Sequence, residues 1–456
     1  MKKIENVPRV KNIKNCCEII ISIKDKNKTG MFSIKCIELI NNTIVNRFPK
    51  SKKGSYDVLV NIDYNKYKNE MNDIRECFCN PKLNTSLSQE IRTSGWKRVL
   101  KKIGFSLYSD FQNSVPFSDC FKEIMDLYEL KQVEFIHFIF EGSYDYIIGF
   151  PIEFINRGDK YIFLEYENIF MSKRIEISKR SSNISPFLPD DLIENLPIFF
   201  HIILSDAIDT STVDEKQMKS KLDSFKKEAD MLEKKLIDYK MSFDYKIEVK
   251  RFDDNNATVD GLRNYINKLS NNYYHVFHFI AEGTFDPDSG GTILFNKINN
   301  KTGKKEIDYL YSNDLANLLK SKKVKFVYLS CCLSAASEEN TEKKNNFGIL
   351  KALACIANIP SILGFRWPID IELSTYFALE FYDKFFNDHK LPRATQLARY
   401  YIKTEGKNLS KRNQEKVEKE DHTWASPLLI YQNNTQQDLN KNKLPLEYGG
   451  KNGLQS

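Results

Sequence analysis

The chain has 456 residues, of which 41% are hydrophobic and 28% are charged, so it is long enough for two or three compact domains and is not a disordered chain. Its 68 Lys and Arg residues exceed its 61 Asp and Glu residues, which gives a net charge of +7. Because the basic residues are scattered among acidic ones instead of clustering in a stripe, nucleic-acid binding is not expected.

The cysteines and the apolar segments predict a cytoplasmic protein. Nine cysteines occur without regular spacing, and the sequence does not begin with a basic, apolar and small-residue leader. The longest apolar stretches, residues 196–204 and 349–365, are too short or too interrupted to cross a bilayer, so no membrane contact is expected. Cys16-Cys17 and Cys77-Phe78-Cys79 lack a second ligand pair, so we expect buried thiols there, no metal and no other cofactor.

The N-terminal half has a less regular pattern and is predicted to be an α+β region. Its predicted elements are strands over residues 18–24, 31–40, 56–62, 133–140 and 161–164 and helices within residues 87–103 and 119–128. Residues 137–142, His-Phe-Ile-Phe-Glu-Gly, echo residues 278–283, His-Phe-Ile-Ala-Glu-Gly. Both segments are predicted to be a strand followed by a tight turn. An internal duplication is an open alternative, although no thiol follows the first copy at a matching distance.

The C-terminal half alternates strands with helices, which is typical of a parallel sheet covered on both faces. Strands are predicted over residues 198–204, 246–252, 275–280, 324–330, 359–364 and 426–431. Helices are predicted over residues 212–239, with Thr212 and Glu215 as a capping box, after Thr258, and over residues 313–319, 347–357 and 371–386. Residues 284–291 are predicted to be an exposed loop, residues 337–346 a mobile one, and residues 435–456 a polar tail.

Two of these strands end in residues that carry chemistry. One ends in Ala281-Glu282-Gly283 and the next in Cys331-Cys332. Because the carboxyl ends of parallel strands meet at one edge of the sheet, we expect Glu282 to lie near a thiol. A thiol peptidase needs an imidazole there, which takes the thiol proton and later protonates the leaving amine. The sequence therefore predicts a nucleophile without its usual base.

These motifs, in this order, resemble the CHAT domain, a bacterial relative of the caspases and separases. Residues 273–286 are similar to the family's His-Phe-x-Gly-His-Gly strand and loop, and residues 327–332, Val-Tyr-Leu-Ser-Cys-Cys, to its Leu-x-Ala-Cys segment. Residues 359–370 and 423–429 resemble its later strands. The resemblance implies a caspase-like fold and, in intact members, endopeptidase activity through a Cys-His dyad. It places the family's nucleophile on Cys332 and its general base on Glu282.

The resemblance extends upstream and implies a division of the chain. Gly149-Phe150-Pro151-Ile152-Glu153-Phe154, with Ser172-Lys173-Arg174, is similar to a Pro-Trp-Glu-Leu region that often precedes these domains. The predicted regions are an N-terminal α+β region (1–130), a strand-rich region leading into the domain (131–190), a CHAT domain with a mostly parallel sheet and helices on both faces (191–434), and the polar tail (435–456).

The exchange of imidazole for carboxylate changes the expected chemistry. An ionised carboxylate opposes formation of a nearby thiolate, whereas an imidazolium favours it, so Glu282 serves as a base only if burial raises its pKa. His278 lies about 13 Å from position 282 along an extended strand, and we expect it to pack within the sheet, with His275 further away. The remaining histidines stay open as a base only through a fold geometry that the sequence does not show: His137, His201, His389 and His422.

The residues beside the predicted site have simpler alternatives. Cys331 and Cys332 point to opposite faces of their strand, and we expect Cys332 at the site and Cys331 in the core. Gly283 and Asp286 are candidates for substrate binding. Asp286 with Asp288 alternatively forms a turn or binds a cation.

Two functions fit these observations. The first is a degraded CHAT protein that keeps the fold and works by protein binding, as a partner or regulator of an active peptidase. The second is an active cysteine endopeptidase whose base is unconventional or is supplied by rearrangement or by a partner chain. A protein or peptide is the expected partner or substrate in both cases, and the family resemblance suggests a role in bacterial signalling or defence.

Overall fold

The computed structural model describes residues 16–25, 31–40, 43–48, 58–62, 64–79, 95–113, 118, 121–122, 125–126, 129, 134–166, 168–175, 187–192, 197–209, 215–243, 245–253, 257–286, 289–299, 302, 305–335, 347–387, 390–409 and 422–432. Thr212, Asp288, His389, the predicted loop 337–346 and the predicted tail 435–456 lie outside these residues, and so does most of the predicted helix 119–128.

The described strands are β1 (Cys16–Asp25), β2 (Met31–Ile40), β3 (Thr43–Phe48), β4 (Val58–Asn61), β5 (Phe135–Gly142), β6 (Asn156–Arg157), β7 (Lys160–Tyr161), β8 (Ile169–Ile175), β9 (Ile198–Leu204), β10 (Ile247–Phe252), β11 (Tyr274–Ile280), β12 (Gly283–Asp286), β13 (Gly290–Ile298), β14 (Lys305–Tyr311), β15 (Val324–Ser330), β16 (Ser361–Phe365) and β17 (Pro427–Tyr431). The described α-helices are α1 (Tyr64–Cys79), α2 (Trp96–Gln112), α3 (Tyr144–Gly149), α4 (Ile162–Glu165), α5 (Glu215–Phe243), α6 (Val259–Asn267), α7 (Ser312–Lys320), α8 (Ile349–Cys355), α9 (Ile371–Phe386) and α10 (Leu391–Leu409).

Within the described residues, twelve strands form one sheet in the order β10-β9-β11-β15-β16-β17-β8-β5-β1-β2-β3, with β4 beside β2. The strands from β10 to β16 are parallel, and so are β17, β8, β5 and β1. The two parallel blocks meet where β17 pairs antiparallel with β16. The sheet is thus mostly parallel, as predicted.

Helices cover both faces of this sheet. On β11, the imidazole of His278 contacts Glu228 of α5 and Tyr382 of α9. On the neighbouring β9, His201 lies opposite Phe277 in the register and contacts Tyr265 of α6. Because successive residues of a strand point to opposite faces, α5 and α9 lie on one face and α6 on the other. The predicted α/β class is confirmed.

The strands in the middle of the sheet are those that the apolar runs predict. Strand β15 begins and ends at the predicted residues, and all seven of its residues are buried. A strand covered on both faces has no polar side, which is why its sequence is a nearly continuous apolar run. Helix α9 also has the predicted bounds, and Asp370 caps its start by accepting from the backbone N–H groups of Glu372 and Leu373.

Two predicted elements are wrong. Residues 284–286 and 290–291 do not lie in a loop, because they belong to β12 and β13, which pair antiparallel as a hairpin, with Gly290 at a φ of 85°. Residues 161–164 are not a strand, because β7 ends at Tyr161 and the helical turn α4 follows it. Helices α1 and α10 were not predicted.

The sheet continues through the predicted regions. Strand β1, in the region 1–130, pairs with β5, and β8, in the region 131–190, pairs with β17 of the C-terminal region. The predicted boundaries stay a prediction.

None of the helices in the described ranges combines the length and the apolar character that a membrane span requires.

Candidate functional site

The structure brings Glu282 and Cys332 to the same edge of the sheet. Their strands, β11 and β15, are parallel neighbours whose last residues, Ile280 and Ser330, lie side by side. Gly283 packs directly against the following cysteines, since a Cβ atom added to it would lie 2.5 Å from the carbonyl oxygen of Cys332 and 3.1 Å from Cβ of Cys331. Only a residue without a side chain fits this approach.

Both carboxylate oxygens of Glu282 are bound. Oε1 lies 3.1 Å from the ammonium nitrogen of Lys221 on α5, and Oε2 accepts a hydrogen bond of 3.2 Å from the backbone N–H of Asp209. The main-chain carbonyl of Glu282 accepts from Leu294 of β13 at 2.9 Å. The side chain is 16% exposed, so it is partly shielded from water. Glu282 is therefore held in one place by a helix, a loop and the hairpin.

Cys332 is a partly exposed residue, and four groups act on its thiol. Burial raises its pKa above the ordinary value of 9.0, and the carboxylate of Glu282 acts in the same direction. A backbone hydrogen bond from Ile369 and the ammonium of Lys221 lower it, but they do not outweigh burial. At neutral pH the group is a protonated thiol, which is a weak nucleophile.

Cys331 belongs to the core. It is 1% exposed, and its Sγ lies 3.9 Å from the carbonyl oxygen of Phe279, to which the thiol donates. Burial raises its pKa well above the ordinary value. Of the two adjacent cysteine residues, Cys332 is the one that retains some exposure.

His278 is a core residue. Its Nε2 lies 3.0 Å from Oε1 of Glu228 and its Nδ1 lies 3.2 Å from the hydroxyl of Tyr382, and its ring stacks on Tyr328 at 4.3 Å. Both ring nitrogens are thus occupied within the layer between the sheet and α5. This agrees with the expectation that His278 packs and does not act as the base.

The other described histidines also have partners other than Cys332. His201 and His275 contact each other at 2.9 Å between ring nitrogens, and His137 contacts Glu18 and Ser172. His422 contacts the carbonyl oxygen of Pro368 at 2.7 Å. Each of these four side chains is therefore held by at least one group other than the thiol.

Asp286 lies at the turn of the β12–β13 hairpin and is exposed. Its Oδ1 accepts from the backbone N–H of Ser289 at 2.8 Å and from the Ser289 hydroxyl at 3.1 Å. This is the turn that the sequence left open as an alternative to substrate binding. Substrate binding by Asp286 and Gly283 stays a prediction.

A groove of about 680 Å³ lies between α5 and the start of α9. One wall is the part of α5 from Lys216 to Lys227, and the other is residues 369–375, at the start of α9. Lys221 and Ile369 both line this groove and both act on the Cys332 thiol. Its volume lies within the range of ligand-binding pockets, and its lining carries charged, hydroxyl and apolar side chains.

Sequence reasoning missed the residues that surround the two predicted ones. Lys221 is one of many lysines on α5, and Asp209 and Ile369 contribute only backbone N–H groups. No local signal distinguishes such residues.

Within the described residues, no three His, Cys, Asp or Glu side chains gather closely enough to hold a metal ion.

The chain was compared with curated proteins, solved structures and family models. A search of curated proteins gave no match. Two crystal structures of the separase–securin complex of Saccharomyces cerevisiae match with 12% and 9% identity and TM-scores of 0.42 and 0.40. Each match covers 91% of this chain and 30% of the other chain, so this chain spans about 30% of the length of those relatives.

A third structure, the complex of the pro- and mature domains of RgpB from Porphyromonas gingivalis, matches with 10% identity and a TM-score of 0.33, over 80% of this chain and 76% of that one. The family model of the CHAT domain matches residues 131–432, which is more than half of the chain. As the order of the motifs predicts, the chain belongs to the CHAT domain family, with its caspase-like fold.

Proposed function

We propose that this protein keeps the caspase-like scaffold and the thiol of Cys332 but acts by binding a segment of a protein partner instead of cleaving it. The observation that carries the proposal is the ion pair between Glu282 and Lys221. The carboxylate stands where the family resemblance implies the general base, and both of its oxygens are already bound.

The chemistry of amide cleavage explains why this arrangement opposes catalysis. The thiol must lose its proton before attack, and the departing amine must receive one. Burial and Glu282 both raise the pKa of the Cys332 thiol. To take the thiol proton, the carboxylate of Glu282 would have to give up a contact with Lys221 or with the backbone N–H of Asp209. Neither proton transfer has a suitable group among the described residues around the thiol.

The groove between α5 and residues 369–375 gives the site a binding surface. It offers charged side chains of both signs, including Lys216, Lys227 and Glu372, together with hydroxyl groups and the apolar side chain of Ile371. A peptide segment has the mixed polar and apolar surface that such a lining contacts. Binding requires none of the proton transfers that cleavage requires.

A cleavage assay tests the negative half of the proposal. Wild-type protein and Cys332→Ala are incubated with a proteome-derived peptide library, and new termini are identified by mass spectrometry. The expected result is the same set of peptides with both proteins. Peptides cut by the wild type but not by Cys332→Ala would contradict the proposal and favour an active endopeptidase with an unconventional base.

A binding assay tests the positive half. Displayed random peptides are selected on the wild-type protein, and binding is measured again after a bulky maleimide has been attached to Cys332 at high pH. We expect binding to be lost. The matched control is Cys332→Ser treated in the same way, in which the exposed Cys355 still reacts and binding is expected to persist. Peptides that bind the maleimide-treated wild type as well as they bind the treated Cys332→Ser would show that the binding surface does not include Cys332.

A further inference from the structure

Two buried histidines beneath helix α6 are hydrogen-bonded to each other. His201 on β9 and His275 on the neighbouring β11 are both buried, and Nε2 of the first lies 2.9 Å from Nδ1 of the second. The other nitrogen of His201, Nδ1, lies 2.7 Å from the hydroxyl of Tyr265 on α6. The other nitrogen of His275, Nε2, lies 2.9 Å from the carbonyl oxygen of Ser270. One chain of hydrogen bonds thus runs from α6 through the sheet to the turn that follows α6.

The donors and acceptors of this chain can be assigned in only one way when both rings are neutral. A carbonyl oxygen only accepts, so the hydrogen of His275 is on Nε2 and its Nδ1 is an acceptor. The Nε2–H of His201 therefore donates to His275, which leaves Nδ1 of His201 to accept from the hydroxyl of Tyr265. Burial raises the pKa of this tyrosine to about 12, so the hydroxyl keeps the hydrogen that it donates.

An added proton disrupts this assignment. Whichever ring becomes the imidazolium, Nδ1 of His201 must then carry a hydrogen, so the hydroxyl of Tyr265 must accept and no longer donates to the ring. A second proton would place two N–H groups against each other between the rings. The charge would also be buried, since Phe277 stacks on the ring of His201 at 4.6 Å, and a buried charge is costly unless it is paired.

The charged groups that act on the two rings do not stabilise an imidazolium. They are Lys250, which lies opposite His201 on β10, and Lys322, which precedes β15 and donates to two carbonyl oxygens at the end of α6. Burial is the largest influence and lowers the pKa of both histidines, and the two lysines act in the same direction. The hydrogen bond from His275 to Ser270 opposes this effect but does not outweigh it. The pKa of His201 falls from 6.5 to about 3.

We propose that the chain from Tyr265 to Ser270 is a proton-sensitive latch, which holds α6 on the sheet while both imidazoles are neutral and releases it when they are protonated. Because the folded state disfavours the charged rings, the latch stabilises the docked helix above pH 6.5 and loses that contribution as the pH falls. At pH 5 the released helix gains about 30-fold in population from the protonation of His201 alone. The inference rests on no property of Cys332 or of the groove, so it stands apart from the proposed function.

The test is hydrogen–deuterium exchange of the backbone amides of α6, measured by mass spectrometry at pH 7.5 and at pH 5 and corrected for the intrinsic exchange rate. We expect the protection of α6 to be lower by about 30-fold or more at pH 5. Helix α7 is the internal control, since it packs beside α6 and contains no residue of the latch. Unchanged protection of α6 would overturn the inference. So would an equal fall in α7, since the whole protein would then be opening.

Variants decide whether the two histidines cause the fall in protection. His201→Phe combined with His275→Phe replaces both titrating rings with rings of similar shape, so α6 should be equally protected at both pH values. If this variant does not fold, His275→Gln removes one titrating group and keeps a side-chain N–H, and its fall should be smaller than that of the wild type. The matched control is His278→Gln, which makes the same change on the other face of β11 and should keep the wild-type fall. A wild-type fall in folded His275→Gln would overturn the inference.

Discussion

Glu282 and Lys221 form an ion pair in which Nζ lies 3.1 Å from Oε1, and both charges act on the thiol of Cys332. The two act in opposite directions, since the carboxylate raises the pKa of the thiol and the ammonium lowers it. Burial, the largest influence, adds to the carboxylate. The two charges of the pair therefore adjust a thiol pKa that burial already raises.

Replacing Lys221 should make the thiol less acidic. Lys221→Met removes the cation that lowers the pKa of Cys332 and leaves the opposing Glu282 in place, so the midpoint of the alkylation profile should rise by about half a pH unit. Stability should fall by no more than about 1 kcal/mol, because the lysine is partly exposed. Lys219→Met, an exposed lysine on the same helix, serves as the control. An unchanged midpoint in Lys221→Met would show that the ammonium does not act on the thiol.

Position 283 should not accept a side chain. In Gly283→Ala the new methyl group would lie 2.5 Å from the backbone carbonyl oxygen of Cys332, so the two strand ends must separate. We expect a loss of about 2 to 3 kcal/mol in the free energy of unfolding, measured by urea denaturation. Gly158→Ala is the contrast, since that site has open space but a φ of 68° and should lose about 1 kcal/mol. Equal losses would contradict the close approach at Gly283.

His278 should matter for stability and not for the thiol. His278→Leu leaves the carboxylate of Glu228 buried without its imidazole partner, which should lower the free energy of unfolding by about 3 to 5 kcal/mol. Thr375→Val, which removes a weaker contact of 3.3 Å with the same carboxylate, should cost less. The alkylation midpoint of Cys332 should stay at the wild-type value in both variants. A shifted midpoint in folded His278→Leu would mean that this histidine reaches the site.

Acid should destabilise the protein through Glu153. Burial alone raises the pKa of this carboxyl, but the charges of Arg366 and Lys173 outweigh it and lower the pKa from 4.5 to about 2. Because the folded-state pKa is depressed, the contribution to stability is present above pH 4.5 and is lost as the pH falls towards 2. Relative to the protonated carboxyl, the ionised carboxylate of Glu153 adds about 3 kcal/mol to the free energy of unfolding. Glu153→Gln should therefore show a shallower loss of stability between pH 5 and pH 3 than the wild type, and an equal slope would contradict this account.

The elements that the sequence predicts best are those whose pattern is decided locally. The apolar run of β15 marks a strand buried on both faces, and the apolar spacing of α9 marks a helix. Parallel neighbours end at the same edge, so the order of the motifs also predicts that Glu282 and Cys332 lie close together. The hairpin of β12 and β13 is not predicted, because Asp286, Gly290 and Gly291 indicate a turn and β12 has only four residues.

The surroundings of the site depend on packing between distant elements. Helix α5 repeats lysines on several faces, and only its position against β11 selects Lys221 as the partner of Glu282. The similarity of residues 149–154 to a known motif identifies a region of interest. It does not predict that Glu153 pairs with Arg366, because the two lie on separate elements that only the folded sheet brings together.

The most direct test of the central claim is the pH dependence of Cys332 alkylation in the wild type, in Glu282→His and in Glu282→Gln. Since the pKa of the wild-type thiol lies above 9.0, it should react only at alkaline pH. Glu282→Gln should lower the midpoint by removing a repelling charge, and Glu282→His should lower it further, because an imidazolium stabilises the thiolate. A wild-type thiol that reacts readily near about pH 6, with no change in Glu282→His, would contradict the claim that Glu282 disables the site.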